Sequence, residues 1–218
     1  MPPRALSPSG VFLVDKPVGP TSFDIVAAVR RRTGAKTGHA GTLDPFASGL
    51  LLLLSGAATR LQGRFVGLDK RYETEIDLRA RTSTGDPEGE VVEEHEPPGA
   101  AELEERLDAL RGVVELPIPA ASAVKIGGRR AYELHRRGVA VEMPVRRMTV
   151  HELRLDGYED GIAKFELLVS SGTYVRAIAE ALGGHCSSLR RSEIGPFSVD
   201  EVDPERLIPP EDALARLS

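Results

Sequence analysis

One cysteine, Cys186, is present in 218 residues, so no intramolecular disulfide is possible. No apolar run approaches the roughly 20 residues that a membrane-spanning helix needs. The longest, Leu50–Leu54, suits a short buried strand or helix segment. The opening Met1–Gly10 lacks the charged-then-apolar pattern of a secretory leader. These absences lead to the expectation of a cytoplasmic protein with no membrane partner. Lys36-Thr37 follows Gly34-Ala35 without phosphate-loop spacing, and there is no Gly-x-Gly-x-x-Gly fingerprint. No Gly-x-Ser-x-Gly elbow is present. One cysteine and five scattered histidines (His39, His95, His135, His151, His185) give no zinc spacing. His185-Cys186 reads as a core or loop position rather than a thiol site. Neither a metal nor any other cofactor is expected. Net positive charge is missing too: the formal charge is −5, which argues mildly against a phosphate-binding surface.

What is present points the other way once its distribution is followed. Basic residues cluster at Arg30-Arg31-Arg32, Arg129-Arg130, Arg136-Arg137, Arg146-Arg147 and Arg190-Arg191. Acidic residues gather at Glu88–Glu96, at Glu102–Asp108 and near the chain end. A segregated surface is compatible with RNA, although each Arg pair taken singly reads more readily as a solvated face. With 41% hydrophobic residues a sizeable core is available, and 22 Gly with 16 Pro imply many turns. Val11–Val14 reads as a buried strand. Thr21-Ser22-Phe23-Asp24 reads as a helix start, with Gly34 closing that helix. A Gly-rich loop, Gly38–Gly49, precedes a second strand at Leu50–Leu54, and Ala57–Val66 reads as a helix. Lys70–Ala80 alternates as a half-exposed strand. A helix over Ala101–Arg111, strand character at Ser122–Ile126 and a helix over Arg129–Arg137 follow. Arg147–Leu155 and Ala163–Ser170 read as a hairpin. Thr173 opens a helix with Val175, Ile178, Ala179 and Leu182 on one face. Leu189–Val199 is strand-like, and Glu211–Leu217 closes with a short helix. Interspersed helices and hairpins predict an α+β fold with a mixed or antiparallel sheet, in a single domain over residues 1–218 with a short tail from about 200.

Three motifs carry chemistry. Gly38-His39-Ala40-Gly41-Thr42-Leu43-Asp44-Pro45-Phe46-Ala47-Ser48-Gly49 is a stiff loop presenting a carboxylate and an imidazole. Its glycines permit positive φ, and Pro45 biases Asp44 toward an extended backbone. An isolated Asp-Pro would be a solvent turn; twelve patterned residues before a buried strand weigh against that. In Ser170-Ser171-Gly172-Thr173-Tyr174-Val175-Arg176, Thr173 is the expected N-cap and Arg176 falls in the first turn. There a cation opposes the helix dipole by roughly 0.3–1 kcal/mol. Asp44 is the candidate anion for Arg176, with Glu180 one turn on as the plainer alternative. Lys70-Arg71-Tyr72 could stack a base on Tyr72 while the cations meet phosphate; Tyr72 reads equally as core.

These motifs resemble the bacterial tRNA pseudouridine-55 synthases, the TruB family. The likeness runs from Val14-Asp15-Lys16-Pro17, Gly19 and Thr21-Ser22 through Gly38–Pro45, Lys70-Arg71-Tyr72, Thr82–Asp86, Ser122-Ala123-Val124-Lys125 and Gly172–Arg176 to Leu189-Arg190-Arg191-Ser192, Gly195 and Phe197. The resemblance implies a pseudouridine synthase fold, a central sheet flanked by helices with its site in a cleft. It also implies isomerisation of uridine 55 in the T-arm stem–loop of tRNA. The sequence is silent on oligomeric state, with a monomer as the default expectation. Asp44 would be the nucleophile; sequence does not tell attack on the sugar from attack on the base, and the resemblance favours the sugar-directed route through a glycal. Tyr72 would stack on the flipped uracil and Arg176 would pair with Asp44. Tyr174 would support the pocket, His39 would displace the target base, and Lys16 and Leu189 would line the site. Lys70 and Arg71 join the expected substrate contacts.

Two departures from the family pattern stand out. Leu116-Pro117-Ile118-Pro119-Ala120-Ala121-Ser122-Ala123 lacks the family's Gln and aromatic before Ser-Ala. Family members also commonly carry a small C-terminal RNA-binding domain, whereas this sequence stops at Ser218; weaker RNA binding with intact catalytic residues is the expectation. A non-catalytic tRNA-binding or tRNA-folding chaperone on the same fold is the alternative, and the retention of both Asp44 and Arg176 favours the enzyme.

Overall fold

The computed structural model describes residues 8–217. Most of the opening stretch read for a leader, and the chain end at 218, lie outside those residues. In chain order the elements begin with β1 (Gly10–Lys16), α1 (Ser22–Thr33), β2 (Thr37–His39), β3 (Ser48–Ser55), a 3₁₀ turn (Gly56–Leu61), α2 (Gln62–Val66), β4 (Lys70–Asp77), β5 (Ala80–Thr82) and β6 (Val91–Glu94). They continue with α3 (Ala100–Ala109), β7 (Gly112–Pro117), β8 (Lys125–Ile126), β9 (Arg129–Arg130), α4 (Ala131–Arg136), β10 (Val145–Glu159), β11 (Ile162–Val169), α5 (Val175–Ala181), β12 (His185–Ile194), β13 (Phe197–Ser198) and α6 (Pro210–Ala215). Strands and helices alternate irregularly, in keeping with the α+β class. No helix among the described residues is long and apolar enough to cross a membrane.

Backbone contacts divide the chain into two compact units, Met1–Tyr72 with Leu189–Ser218, and Glu73–Ser188. In the first unit β3 is the spine. β1 pairs with it antiparallel along its whole length, from Gly10 opposite Ser55 to Lys16 opposite Gly49. The other flank of β3 is shared. β2 runs antiparallel beside its far end, with His39 opposite Leu53. β12 runs parallel beside its near end, with Arg191 opposite Gly49. The sheet of this unit is therefore mixed, and the chain leaves it after His39 and re-enters at Ser48.

The leucine run explains why β3 is central. Leu50, Leu52 and Leu54 point to a cluster with Val11, Leu13, Phe65, Phe197 and Ala213. Leu51 and Leu53 point the opposite way, to Phe12 and Val26. A strand covered on both faces needs continuous apolar residues rather than alternation, and each buried leucine contributes roughly 1.5–3 kcal/mol. α1 supplies one cover. Its start is a capping box, Thr21 with Asp24, and its end is Gly34 in the left-handed region, as read from the sequence. The stretch after residue 200 returns to this core. Ile208 exchanges two backbone hydrogen bonds with Val11, and the approach is close enough that a Cβ on Gly10 would lie 2.4 Å from the Ile208 carbonyl oxygen.

In the second unit β11, β10 and β7 follow β4 in that order. The β10–β11 hairpin turns at Asp160-Gly161, both at positive φ. Asp156-Gly157, the other turn candidate, is absorbed as a bulge between Leu155 and Gly157. Local departures from the sequence reading are small and have physical causes. The first part of Ala57–Val66 is 3₁₀ rather than α. Only Lys125–Ile126 of the 122–126 stretch pairs as a strand, in a tight hairpin with Arg129–Arg130 that delays the start of α4 to Ala131.

Candidate active site

Asp44 sits in the excursion between β2 and β3. Leu43, Phe46 and Ala47 are buried and root the loop in the core, whereas Asp44 is only half-buried. The Ala47 N–H donates to the Asp44 carbonyl at 3.1 Å, closing a tight turn over Pro45 and Phe46. Four further grips hold the loop. The Ser22 hydroxyl, in the first turn of α1, accepts from the Leu43 N–H at 2.9 Å and donates to the Leu43 carbonyl at 3.0 Å. The Lys16 ammonium, fully buried, donates to the carbonyls of Pro17 and Pro20 at 2.9 Å and of Pro45 at 3.3 Å. The Gly19 N–H donates to the Pro45 carbonyl at 2.8 Å. Arg191, on β12, donates from Nε to the Leu50 carbonyl at 2.8 Å, from Nη1 to Thr42 at 3.4 Å and from Nη2 to Gly41 at 3.2 Å.

Gly49 is required where the loop rejoins the sheet. Its φ is +103°, and a Cβ there would come 2.2 Å from the Arg191 carbonyl oxygen. Backbone amides and carbonyls left unpaired in a buried loop cost about 1–3 kcal/mol each, so these bonds make the loop stiff. A stiff loop is what aiming a carboxylate at one reacting atom needs.

The other expected residues of this unit sort into two kinds. Tyr72 and Leu189 are buried. His39 is half-buried, with Nδ1 shielded from solvent and lacking a hydrogen-bond partner among the described residues. Burial, with the Arg191 charge second, pulls its imidazolium below the usual histidine range, so the ring is neutral at pH 7. Lys70 departs from the role read for it. The side chain points inward, 5% exposed, and donates to the carbonyls of Val66, at 2.7 Å, and Leu68. Burial and then Arg191 push the ammonium down to about 8. A lysine so placed is not presented to a phosphate. Arg71, on the opposite face of β4, pairs with Glu193 at 3.1 Å. Arg190 and Arg191, read as one basic surface pair, also separate. Arg190 pairs with Asp15 at 2.8 and 3.1 Å, whereas Arg191 is 1% exposed.

The second unit holds Tyr174 and Arg176. α5 starts one residue later than expected, with Tyr174 as N-cap. Thr173 is drawn away, its hydroxyl meeting that of Ser170 at 3.2 Å. Arg176 still falls in the first turn, buried, with an anion near it. Nη1 lies 3.2 Å from the Asp86 carboxylate, the two side chains being 3% and 6% exposed. The guanidinium also donates to the carbonyls of Thr84 at 2.7 Å and Ala121 at 2.9 Å. The Thr82–Asp86 turn is built for this. Asp86 accepts from the Thr84 hydroxyl at 2.6 Å and the Glu88 N–H at 3.1 Å, and the Thr82 hydroxyl donates to the Asp86 carbonyl at 2.8 Å. Glu180, the plainer alternative, is partly buried, and burial pushes its carboxyl up against the pull of Arg176. Tyr174 is half-buried with the Arg146 guanidinium 5.8 Å above its ring.

Sequence reading missed Asp86 as a partner of Arg176, Arg191 as a loop grip and Ser22 as more than a helix start. For Asp86 a signal existed, a hydroxyl-rich turn ending in an acid. For Arg191 none did, since its partners lie far away in the chain. Among the described residues no group of three or more His, Cys, Asp or Glu side chains could hold a metal ion.

A family model described as TruB family pseudouridylate synthase (N terminal domain) matches residues 30–175. A protein of Thermobifida fusca (strain YX) named tRNA pseudouridine synthase B is 43% identical over 212 residues, covering 88% of this chain and 72% of its own length. Its namesake in Leifsonia xyli subsp. xyli (strain CTCB07) is 44% identical over 207 residues, covering 88% and 68%. Among solved structures, a chain of a crystal structure of a Cbf5-Nop10-Gar1 complex superposes with a TM-score of 0.68 at 27% identity, over 88% of this chain; the chain spans about half of that one, 50%. The matched segment contains the Asp44 loop and the Asp86 turn and reaches the start of α5, and by this match the chain belongs to the TruB family of pseudouridylate synthases.

Proposed function

We propose that this chain isomerises uridine 55, in the T-loop of tRNA, to pseudouridine, with Asp44 as the nucleophile. The observation that carries the reading is the grip on the Asp44 loop: buried side chains and buried donors on either side, and a carboxylate left half-exposed at its tip. The names of the relatives supply the substrate class. In the reaction the C1′–N1 bond breaks, the base turns, and a C1′–C5 bond forms. C5 gives up its proton and N1 gains one, so atoms and electrons balance with no redox partner. By the sugar-directed glycal route that the family resemblance implies, the Asp44 carboxylate takes the C2′ proton as the C1′–N1 bond breaks and returns it as C5 closes on C1′. A stacked uridine must first be extruded, at a cost of a few kcal/mol.

His39, neutral at pH 7, suits a wedge role better than a charged one. Tyr72, Tyr174 and Arg176 belong to the proposal as residues the reaction requires, and Lys16 and Leu189 as supports. Incubation with an unmodified tRNA transcript, followed by position-resolved mapping, is expected to show pseudouridine at one T-loop position. Asp44→Asn is expected to abolish it while RNA binding survives. Turnover by that variant would defeat the assignment.

A further inference from the structure

Of the cations in the first unit, Arg191 has the least ordinary surroundings. It is 1% exposed, and among the described residues its guanidinium meets no carboxylate. Its three acceptors are backbone carbonyls. Burying a charge without an acid partner is costly, and only a donor set matched to its acceptors can offset it. The acceptors are not arbitrary: Gly41 and Thr42 precede Asp44, and Leu50 follows it. One planar fork thus ties both limbs of the loop to β12. The arginine backbone completes the junction, lying against Gly49 so closely that no side chain fits there. A second buried cation, Lys70, stands by the same glycine: a Cβ built on Gly41 would lie 3.6 Å from Arg191 Nη1 and 3.9 Å from Lys70 Cε. The surroundings of Arg191 therefore include a like charge.

We propose that Arg191 is a positioning residue for the isomerisation, whose buried guanidinium fixes the backbone on both sides of Asp44 and thereby sets the aim of its carboxylate. The inference rests on the function proposed above. A lysine keeps the charge but is a point donor and cannot span the three carbonyls as a planar fork does.

Arg191→Lys is the test, measured as the single-turnover rate at saturating tRNA transcript together with transcript affinity. The rate is expected to fall roughly ten- to a hundredfold, the scale of an ångström misplacement of a reacting group, with affinity unchanged. A rate equal to that of the unaltered chain, or a loss confined to affinity, overturns the proposal. Should the variant fail to fold, amide exchange in the unaltered chain decides. The amides of Ala40, Leu43 and Ala47, all hydrogen-bonded, should be protected like those of β3; exchange at open-loop rates overturns the clamp. An unaltered chain inactive on every RNA defeats the function itself, and this inference with it, which is a different outcome from an active chain indifferent to Arg191.

Discussion

Ser22→Ala isolates one grip on the Asp44 loop. Ser22 is 2% exposed and Leu43 3%, and the serine hydroxyl serves both the N–H and the carbonyl of Leu43. Removing it strands a buried donor and a buried acceptor, each worth about 1–3 kcal/mol. Alanine returns a few tenths through its better helix propensity. The net expectation is a loss of about 2–5 kcal/mol, or roughly 4–20 °C in Tm for a chain of this size. Because Leu43 adjoins Asp44, part of that loss should reach the chemistry. A tenfold fall in rate corresponds to ~1.4 kcal/mol, and that scale is expected with RNA affinity unchanged. The control is the neighbouring residue. Thr21 caps the same helix from an exposed position, so Thr21→Ala should cost about 1 kcal/mol and leave the rate alone. Urea denaturation with constant slope, paired with single-turnover pseudouridine formation, measures both. A stability loss under ~0.5 kcal/mol for Ser22→Ala, or equal rate losses in the two variants, would refute the reasoning.

Two further outcomes follow from the buried charges. Asp86→Ala removes the carboxylate beside a guanidinium that is 3% exposed and should destabilise by roughly 3–5 kcal/mol; a change below ~1 kcal/mol in urea denaturation would show that the pair is not structural. Lys70, at about 8 in the fold, is expected near 10.4 when unfolded. Between those values the unfolded chain holds more protons, so stability rises with pH across that window. The stability of the unaltered chain minus that of Lys70→Met should therefore increase from pH 7 to pH 10; a flat difference would place the ammonium in solvent, and a falling one would place it beside an anion.

Local pattern was enough for several parts of this protein. Five consecutive leucines suit a strand covered on both faces, and β3 is one. A hydroxyl three residues before an acid, with Gly34 downstream, marks both ends of α1. The Gly-rich run with Asp44 at its tip marks the candidate site. These features depend on residues a few positions apart, whose mutual geometry the backbone itself imposes. The direction in which a cation points is another matter. Arg71 and Lys70 are neighbours, as are Arg190 and Arg191, and strand alternation sends the members of each pair to opposite faces. Which face is buried depends on what the sheet packs against. Arg191 reaches carbonyls 141 to 150 positions away, and Arg176 one that is 92 positions away. Composition carries no trace of such pairings, because any carbonyl is an equally good acceptor until folding brings one within reach. So the candidate acid, Asp44, is legible in the sequence, whereas the buried donors that grip its loop were chosen only when distant strands came together.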